Sequence, residues 1–161
     1  MFEIVEANLS KPSHQKDLLE TLDIYASDVM GGGGGLSDYV KLNLASALNE
    51  RKNATVFLAY ANKKAVGLLI CMEGFSTFSC RPLMNIHDLV VLPEYRGQGI
   101  STLLLETVEE IAIKKGCCKL TLEVLEGNKV ARGAYSHFGF RGYELDPEMG
   151  KALFLEKKLQ S

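Results

Sequence analysis

A strongly apolar strand that runs through a glycine-containing turn into a long amphipathic helix is the feature that most constrains how this chain folds. Residues 83–92 show little alternation between apolar and polar side chains, which predicts a strand buried on both faces, and a proline ends it. From residue 99 to residue 115 apolar side chains recur at helical spacing, with lysines in the last turn and Gly116 just past it. We therefore predict a buried strand, a tight turn and a helix in direct succession.

The turn between this strand and this helix favours phosphate binding. Its two glycines, Gly97 and Gly99, let a ligand approach the backbone closely, and the following residues, Ser101 and Thr102, add two hydroxyl groups. A helix N-terminus leaves N–H groups unpaired and carries about half a positive charge, which suits a pyrophosphate. Residues 96–102 are therefore a candidate anion site.

Three nucleotide-binding motifs fit this turn poorly. A Walker A loop needs a Lys-Ser or Lys-Thr pair after its last glycine, where this chain has Ile100 and Ser101. The dinucleotide fingerprint needs a third small residue, where this chain has Thr102. The glycine-rich loop of kinases lies between two strands, whereas a helix follows here.

The periodicity of the remaining chain predicts a mixture of strands and helices. Before the turn we expect a short strand from Phe2, a helix capped by Ser10 that ends at Gly31, a second helix over residues 37–50, a hairpin of strands 55–60 and 65–72, and a loop over 74–82. After residue 116 we expect a strand over 118–125, a helix over 128–138, and strands over 140–144 and 152–159.

Length and charge exclude several classes of protein. The chain has 161 residues, 47% of them apolar, which predicts a single domain over residues 1–161. Lysines and arginines number 18 and acidic residues 20, a net charge of −2, so we expect no nucleic-acid partner. No apolar run approaches the ~20 residues that cross a bilayer, and acidic residues stand where a signal peptide carries lysines, so we expect no membrane association and a cytoplasmic location.

The cysteines and histidines indicate neither a disulfide framework nor a metal site. Cys71, Cys80, Cys117 and Cys118 form no C-x-x-C pattern, and we expect buried thiols that act as small apolar side chains. No group of histidine, cysteine and acidic residues has the spacing of metal ligands. We therefore expect no metal ion.

Two segments resemble motifs of the GNAT superfamily of acetyl-CoA-dependent N-acetyltransferases. Residues 96–101 read Arg-x-x-Gly-x-Ser, which resembles the family's acetyl-CoA signature, Gln/Arg-x-x-Gly-x-Gly/Ala, with Ser101 where Gly or Ala is usual. Residues 128–140 read N-x-x-A-x-x-A-Y-x-x-x-G-F, which is similar to the family's later helix and strand. With the strand before the turn, the resemblance covers roughly residues 84–143.

The resemblance implies an α/β (α+β) fold and an acyl-transfer activity. The family fold is a mixed, mostly antiparallel sheet of six to seven strands flanked by about four helices, with a splayed strand pair that forms the CoA cleft. The implied reaction moves an acetyl group from acetyl-CoA to a primary amine of a small molecule, or to a protein amine, by direct attack in a ternary complex. A catalytically silent acyl-CoA sensor of the same fold is the alternative. Many members of the family dimerise, which leaves a homodimer open.

The resemblance also implies which residues bind acetyl-CoA. The turn would cradle the pyrophosphate, the preceding strand would pair with the pantetheine arm, and Asn128 would bind the arm from the other side. The implied residues are Leu89, Val90, Val91, Arg96, Gly97, Gln98, Gly99, Ile100, Ser101, Thr102, Asn128 and Tyr135. The alternatives are a plain strand-to-helix turn at Gly97 and Gly99 and a surface helix residue at Ser101.

Acetyl transfer to an amine needs a deprotonated amine, a polarised thioester carbonyl and a proton for the leaving thiolate. Tyr135 aligns with the family tyrosine that protonates the CoA sulfur, and its alternative is a core aromatic. His87, with an ordinary pKa of ~6.5, is the candidate base, and its alternative is a satisfied core histidine. Asp88 can attract an amine, although we favour a hydrogen-bonded structural carboxylate.

The acceptor side is the least specific part of the sequence. By family resemblance it is formed by the first two helices and the loop before the buried strand. That places Tyr25, Met30, Tyr39, Phe78 and Arg81 there, each equally explained as core or surface. The five glycines at positions 31–35 predict a mobile hinge that orders on substrate binding, or a tolerated low-complexity loop.

Overall fold

The computed structural model of the protein describes residues 1–159, which fall into two compact units divided after Leu122. The first unit contains β1 (Phe2–Glu6), α1 (Pro12–Ser27), α2 (Asp38–Asn49), β2 (Ala54–Ala61), β3 (Lys64–Ser76), β4 (Arg81–Val91), α3 (Ile100–Lys114) and β5 (Leu120–Leu122), with 3-10 turns at Val29–Gly31 and Pro93–Tyr95. The second unit contains α4 (Lys129–Phe138). The predicted single domain over residues 1–161 stays a prediction.

The sheet of the first unit has the order β1-β2-β3-β4-β5. Pairing is antiparallel from β1 to β4, and β5 lies parallel to β4. This confirms the predicted mixed, mostly antiparallel α/β sheet with four helices. The predicted count of six to seven strands is wrong, because the described residues form five.

The missing strands are those expected over residues 140–144 and 152–159. Within the described part of the second unit, these segments make one antiparallel bridge, between Glu144 and Lys151. A strand needs a neighbour along its length to pair its backbone groups, and a single bridge does not supply one. The predicted strand over 118–125 is likewise reduced to the three residues of β5.

Helices cover both faces of the sheet in the first unit. Leu18 and Leu22 of α1 pack in one cluster with Leu68 of β3. A methyl group added to the neighbouring Gly67 would lie 3.1 Å from Ile100 of α3, so α3 covers the opposite face. The apolar stripe predicted for α3 contains Ile100, Leu103, Leu104, Val108, Ile111 and Ala112. Ile100, Leu104, Val108 and Ala112 are buried as predicted, whereas Leu103 is 37% exposed and Leu105, outside the stripe, is buried.

The bounds of α1 differ from those predicted. Its N-cap position is Lys11, not Ser10, and no side chain caps that end. It ends at Ser27, not Gly31, because Asp28 has extended backbone angles and its side chain accepts a hydrogen bond from the N–H of Met30. The helix predicted over residues 37–50 is α2 (Asp38–Asn49), and Ser37 at its N-cap accepts a hydrogen bond from the N–H of Val40 at 3.3 Å.

The β2–β3 hairpin has the predicted tight turn. Asn62 and Lys63 both have positive φ, 48° and 67°, as a two-residue hairpin loop requires. β3 and β4 stay paired out to Ser76 and Arg81, so the expected loop over 74–82 shrinks to residues 77–80. No helix within residues 1–159 has the length and apolarity that crossing a bilayer demands.

The cysteines are only partly buried as predicted. Cys71 lies in the core, where burial raises the pKa of its thiol to about 12. Cys117 and Cys118 are half-buried, and burial also raises the pKa of the Cys117 thiol. Cys80 is exposed, because it lies in the short loop at the far end of the β3–β4 pair.

Candidate active site

A β-bulge in β4 determines which side chains face the predicted reaction centre. Asp88 pairs with Ile70 and Ile86 pairs with Cys71, so His87 is an extra residue without a partner on β3. The side chain of His87 is exposed, and β4 is therefore not buried on both faces as predicted. The bulge also places Asp88 on the face that carries Ile70 and Val90, which α1 covers.

β4 and β5 separate beyond the bulge. They pair at three positions only, Met84–Ile86 opposite Leu120–Leu122. Among the described residues, no strand continues this pairing along residues 87–91, which we call the β4 opening. An unpaired strand edge presents a row of N–H and C=O groups that an extended ligand can bind. The predicted backbone-binding residues Leu89, Val90 and Val91 lie in this opening.

The turn that follows has the backbone geometry expected of an anion site. Gly97 and Gly99 have φ of 76° and 82°, and a Cβ on either would meet no atom within 4 Å. Gly99 is the N-cap of α3, and no side chain caps that helix. The first N–H groups of α3 therefore face open space at residues 96–99, which we call the glycine turn. Ser101 is half-buried and Thr102 exposed beside it.

Contacts with the β2–β3 hairpin hold the turn in place. Lys64 forms an ion pair with Glu94 at 3.2 Å, and its ammonium lies 5.4 Å from the ring centre of Tyr95. A backbone hydrogen bond and then Lys64 hold the pKa of Glu94 below its usual value. Gln98 donates a hydrogen bond to the carbonyl of Glu94 at 3.2 Å. The side chain of Ile100 is buried and anchors the start of α3.

Arg96 links the glycine turn to α1. Its Nε donates to the carbonyl of Val91 at 3.1 Å, and its Nη2 lies 3.3 Å from Oδ2 of Asp28. The Met30 N–H and then Arg96 lower the pKa of Asp28. The sequence analysis did not identify Asp28. The local feature that could have indicated it is an acidic residue directly before the Val29–Gly31 turn, where such a side chain can cap the turn.

The glycine run at positions 31–35 folds back on the end of α1. The carbonyl of Asp28 accepts hydrogen bonds from the N–H groups of Gly31 at 3.0 Å and Gly33 at 2.9 Å. A Cβ on Gly31 would lie 2.0 Å from the carbonyl oxygen of Tyr25, so only glycine fits. Leu36, directly after the run, donates its N–H to Asp23 at 2.7 Å. Hydrogen bonds thus hold the run at both ends, whereas the sequence left open a mobile hinge or a tolerated low-complexity loop.

Three polar side chains meet near the bulge. Nδ1 of His87 is hydrogen-bonded to Oδ1 of Asn85, and Asn85 donates to the hydroxyl of Thr121 at 2.9 Å. Burial raises the pKa of Asp88, and the nearby His87 opposes that rise. Within residues 1–159 the Asp88 carboxylate has no hydrogen-bond donor, so the favoured structural reading of Asp88 is wrong. Asn85 and Thr121 were missed, because nothing local marks them as partners of a histidine.

The second unit carries the other two predicted cofactor residues. Asn128 caps α4, with its side chain accepting a hydrogen bond from the N–H of Ala131 at 3.2 Å. Tyr135 is half-buried and packs edge-to-face on Phe140, with ring centres 5.9 Å apart. Each residue therefore has a structural role within the second unit: Asn128 caps α4, and Tyr135 packs on Phe140.

The predicted acceptor residues do not all lie together. Tyr25 is half-buried, donates a weak hydrogen bond to the Met30 carbonyl at 3.4 Å, and has its pKa raised by burial and then by the charge of Asp88. Tyr39 is 75% exposed and Phe78 90% exposed. Arg81 binds the Gly116 carbonyl at the start of β4, seven strand positions and roughly 23 Å from Asp88. The structure thus brings Tyr25 and Met30 into contact, leaves Tyr39 and Phe78 exposed, and places Arg81 at the far end of β4 from Asp88.

Comparison with known proteins identifies the family. The model of the acetyltransferase (GNAT) family matches residues 21–140, and the chain therefore belongs to that family. This confirms the predicted class, an N-acetyltransferase of the GNAT type. Within the residues described, no three histidine, cysteine or acidic side chains are grouped so as to hold a metal ion.

Particular relatives add detail. The chain is 42% identical over 65 residues to thialysine N-epsilon-acetyltransferase of Mus musculus, a match that covers 40% of this chain and 38% of that protein. It thus spans less than half the length of the curated thialysine acetyltransferases that it matches. A transcriptional regulator from Bacillus halodurans has the same fold, with a TM-score of 0.80 at 20% identity over 98% of this chain and 100% of that one. Aminoglycoside N-acetyltransferase AAC(6')-Iy in complex with CoA gives a TM-score of 0.76 at 18% identity, covering 99% and 96%.

Proposed function

We propose that this protein transfers the acetyl group of acetyl-CoA to the primary amine of a small molecule by direct attack in a ternary complex. The observation that carries the proposal is the continuity of the β4 opening with the glycine turn, residues 87–91 and 96–99 of one segment. The first suits the amides of a pantetheine arm, and the second suits a pyrophosphate. A protein amine is the second class of acceptor.

The backbone would carry most of the cofactor binding. The side chain of Val90 is buried in the core, so this residue can contact pantetheine only through its main chain. The main chains of Leu89 and Val91, on either side of it in the β4 opening, would pair with pantetheine as well. The N–H groups of residues 97–102 would bind the pyrophosphate, with the hydroxyls of Ser101 and Thr102 adding hydrogen bonds. Asn128 is proposed as a further contact on the basis of the family motif.

The proposed chemistry needs no covalent enzyme intermediate. His87 takes a proton from the acceptor ammonium, and the amine nitrogen then forms a bond to the thioester carbon. An N–H of β4 near Leu89 stabilises the negative oxygen that develops. As the carbon–sulfur bond breaks, Tyr135 gives its phenolic proton to the CoA thiolate. The amide nitrogen then gives its second proton to the Tyr135 phenolate, which restores the phenol, and the His87 imidazolium releases its proton to solvent. The products are an acetamide and CoA.

The acceptor ammonium would be held by Asp88. Its carboxylate is partly buried and has no hydrogen-bond donor among the described residues, so a cation is its natural partner. Tyr25 and Met30, on the α1 side, form the adjacent wall. The names of the relatives are consistent with this class of acceptor, since thialysine and aminoglycosides are small molecules that carry amines.

Calorimetry followed by an amine screen tests the proposal. We expect acetyl-CoA to bind one to one, and at ~100 times its dissociation constant to raise the free energy of unfolding by about 2.7 kcal/mol. The protein with acetyl-CoA is then offered thialysine, lysine, a diamine, an aminoglycoside and a peptide with a free N-terminus, and release of the CoA thiol is measured.

Turnover with a small amine would support the proposal. Turnover only with the peptide would assign the protein acceptor instead. Tight acetyl-CoA binding without turnover across the panel would favour the silent sensor, and failure to bind acetyl-CoA, CoA or longer acyl-CoAs would contradict both functions.

A further inference from the structure

A chain of hydrogen bonds crosses from β4 to β5 at the middle one of the three positions where the two strands pair. Asn85 and Thr121 lie opposite each other in the parallel register. Nδ2 of Asn85 lies 2.9 Å from the hydroxyl oxygen of Thr121 and 3.5 Å from its carbonyl oxygen. On its other side, Oδ1 of Asn85 is hydrogen-bonded to Nδ1 of His87. The imidazole is thus tied to β5 through one neutral amide.

The chemistry of the three groups fixes which atom of His87 carries the hydrogen. The Thr121 carbonyl can only accept a hydrogen bond, so the amide of Asn85 must turn its NH₂ group towards it. Oδ1 of Asn85 therefore faces His87, and it too can only accept. The hydrogen between them must belong to Nδ1 of His87. In the neutral imidazole the other nitrogen, Nε2, then holds the free lone pair.

We propose that Asn85 is a positioning residue that holds His87 in its Nδ1–H tautomer, and that Thr121 sets the orientation of Asn85. The inference rests on the proposed function, in which His87 accepts the proton of the acceptor amine. Nε2 is the atom that accepts it. Because Asn85 is neutral, it selects the tautomer without a second negative charge that would hold the proton on the imidazole.

Among the side chains around His87, Asn85 is the one that is hydrogen-bonded to its imidazole and can therefore select the tautomer. Asp88 is the next residue on the same strand, and its pKa is raised by burial and lowered by the charge of His87. Tyr25 of α1 interacts with Asp88. On β3, the residues that flank the bulge are Ile70 and the buried Cys71, and on β5 the neighbour is the uncharged Thr121.

Nitrogen NMR of histidine-labelled protein reads the tautomer directly. The chain has three histidines, so His87→Gln assigns the signals of His87. At a pH where His87 is neutral, we expect its hydrogen on Nδ1 in the wild-type protein. Asn85→Leu should move the equilibrium towards the Nε2–H form, and Thr121→Val should move it in the same direction by less. Asn53→Leu removes an amide that donates to the Glu73 carbonyl at 3.3 Å, and as the matched control it should leave His87 unchanged.

Kinetics separates positioning from a purely structural role. Asn85→Leu should lower kcat by ~10-fold or more, as loss of a tautomer-fixing partner does elsewhere, with KM for acetyl-CoA changed less than about twofold. Asn85→Asp keeps an acceptor for Nδ1–H and should restore most of kcat at high pH. Its negative charge favours the imidazolium, so the acidic limb of the kcat/KM profile should move to higher pH.

Two results would overturn the assignment of Asn85: an Nε2–H tautomer in the wild-type protein, or an unchanged tautomer in Asn85→Leu. Failure of the proposed function looks different. If His87→Gln turned over normally while the wild-type tautomer was Nδ1–H, the tautomer assignment would be supported and the role of His87 as base would be lost.

Discussion

Gly99 meets two requirements at once, a left-handed backbone and an empty space in front of α3. Gly116, at the other end of the same helix, has a similar φ of 74° and equally open surroundings. The two glycines thus share the backbone requirement, and only Gly99 lies at the proposed pyrophosphate site.

Replacement of each by alanine separates the two requirements. Both Gly99→Ala and Gly116→Ala should lose about 1–2 kcal/mol of stability, because an alanine is strained at positive φ. Only Gly99→Ala should weaken acetyl-CoA binding by ~10-fold or more, since its methyl group points into the space that the pyrophosphate needs. Calorimetry on both variants checks this. Equal affinities for acetyl-CoA in the two variants would mean that the glycine turn does not bind the pyrophosphate.

The ring of Tyr135 packs edge-to-face on Phe140. Tyr135→Phe keeps this ring contact and removes the hydroxyl group that would donate the proton. We expect kcat to fall by ~10²-fold or more, which is typical of the loss of a general acid, while the affinity for acetyl-CoA is kept. Normal turnover in this variant, measured by CoA release, would leave Tyr135 as a packing residue.

At the scale of elements, the segment between α1 and α2 is held by two acidic side chains. Asp28 binds the Met30 N–H at 3.1 Å at its start, and Asp23 binds the Leu36 N–H at 2.7 Å at its end. Each pKa is lowered, first by that backbone hydrogen bond and then by a cation, Arg96 for Asp28 and Lys41 for Asp23. The glycine run between them therefore depends on two carboxylates that must be ionised.

This arrangement predicts a pH dependence of local order. A carboxylate with a lowered pKa stabilises the fold above its unfolded pKa of ~3.9, and that contribution is lost as the pH falls through the folded pKa. Amide hydrogen exchange of residues 30–36, corrected for intrinsic rates, should therefore speed up in acid before that of α3. In the Asp23→Asn, Asp28→Asn double variant this acid-dependent step should disappear. Persistence of the step would locate the titrating group elsewhere.

At the scale of the whole molecule, Asp88 lowers the stability of the fold when it is ionised, and it provides the carboxylate proposed to bind the acceptor ammonium. Burial raises its pKa, so the carboxyl group is harder to ionise in the folded protein than in the unfolded chain. Its ionisation then costs stability as the pH rises from the unfolded pKa of ~3.9 through the folded pKa. A partly buried ionisable group at a functional site commonly lowers the free energy of unfolding in this way.

Asp88→Asn tests whether Asp88 lowers stability and binds the amine. Urea unfolding should show a variant more stable than the wild type at pH 7, with the difference vanishing well below pH 4. Amine affinity should fall in the same variant, while acetyl-CoA affinity is kept. A variant less stable than the wild type at pH 7 would show that Asp88 is held by a favourable partner after all.

Local patterns determined much of this protein before any tertiary contact was known. The apolar face of α3, the helix α2 and the Asn62–Lys63 hairpin each depend on neighbours within a few residues, and each is present in the structure. The glycine turn belongs to the same group, since left-handed glycines before a helix are a local requirement.

Tertiary structure decided the rest, because pairing between distant segments has no local signature. The bulge at His87 depends on the β3–β4 register, and the β4 opening depends on how far β5 extends. Asp28 and Arg96 are 68 positions apart, and Asn85 and Thr121 are 36 apart. The amino-acid sequence therefore determined the class of protein and the glycine turn, while the strand register and long-range contacts decided which side chains surround the candidate site.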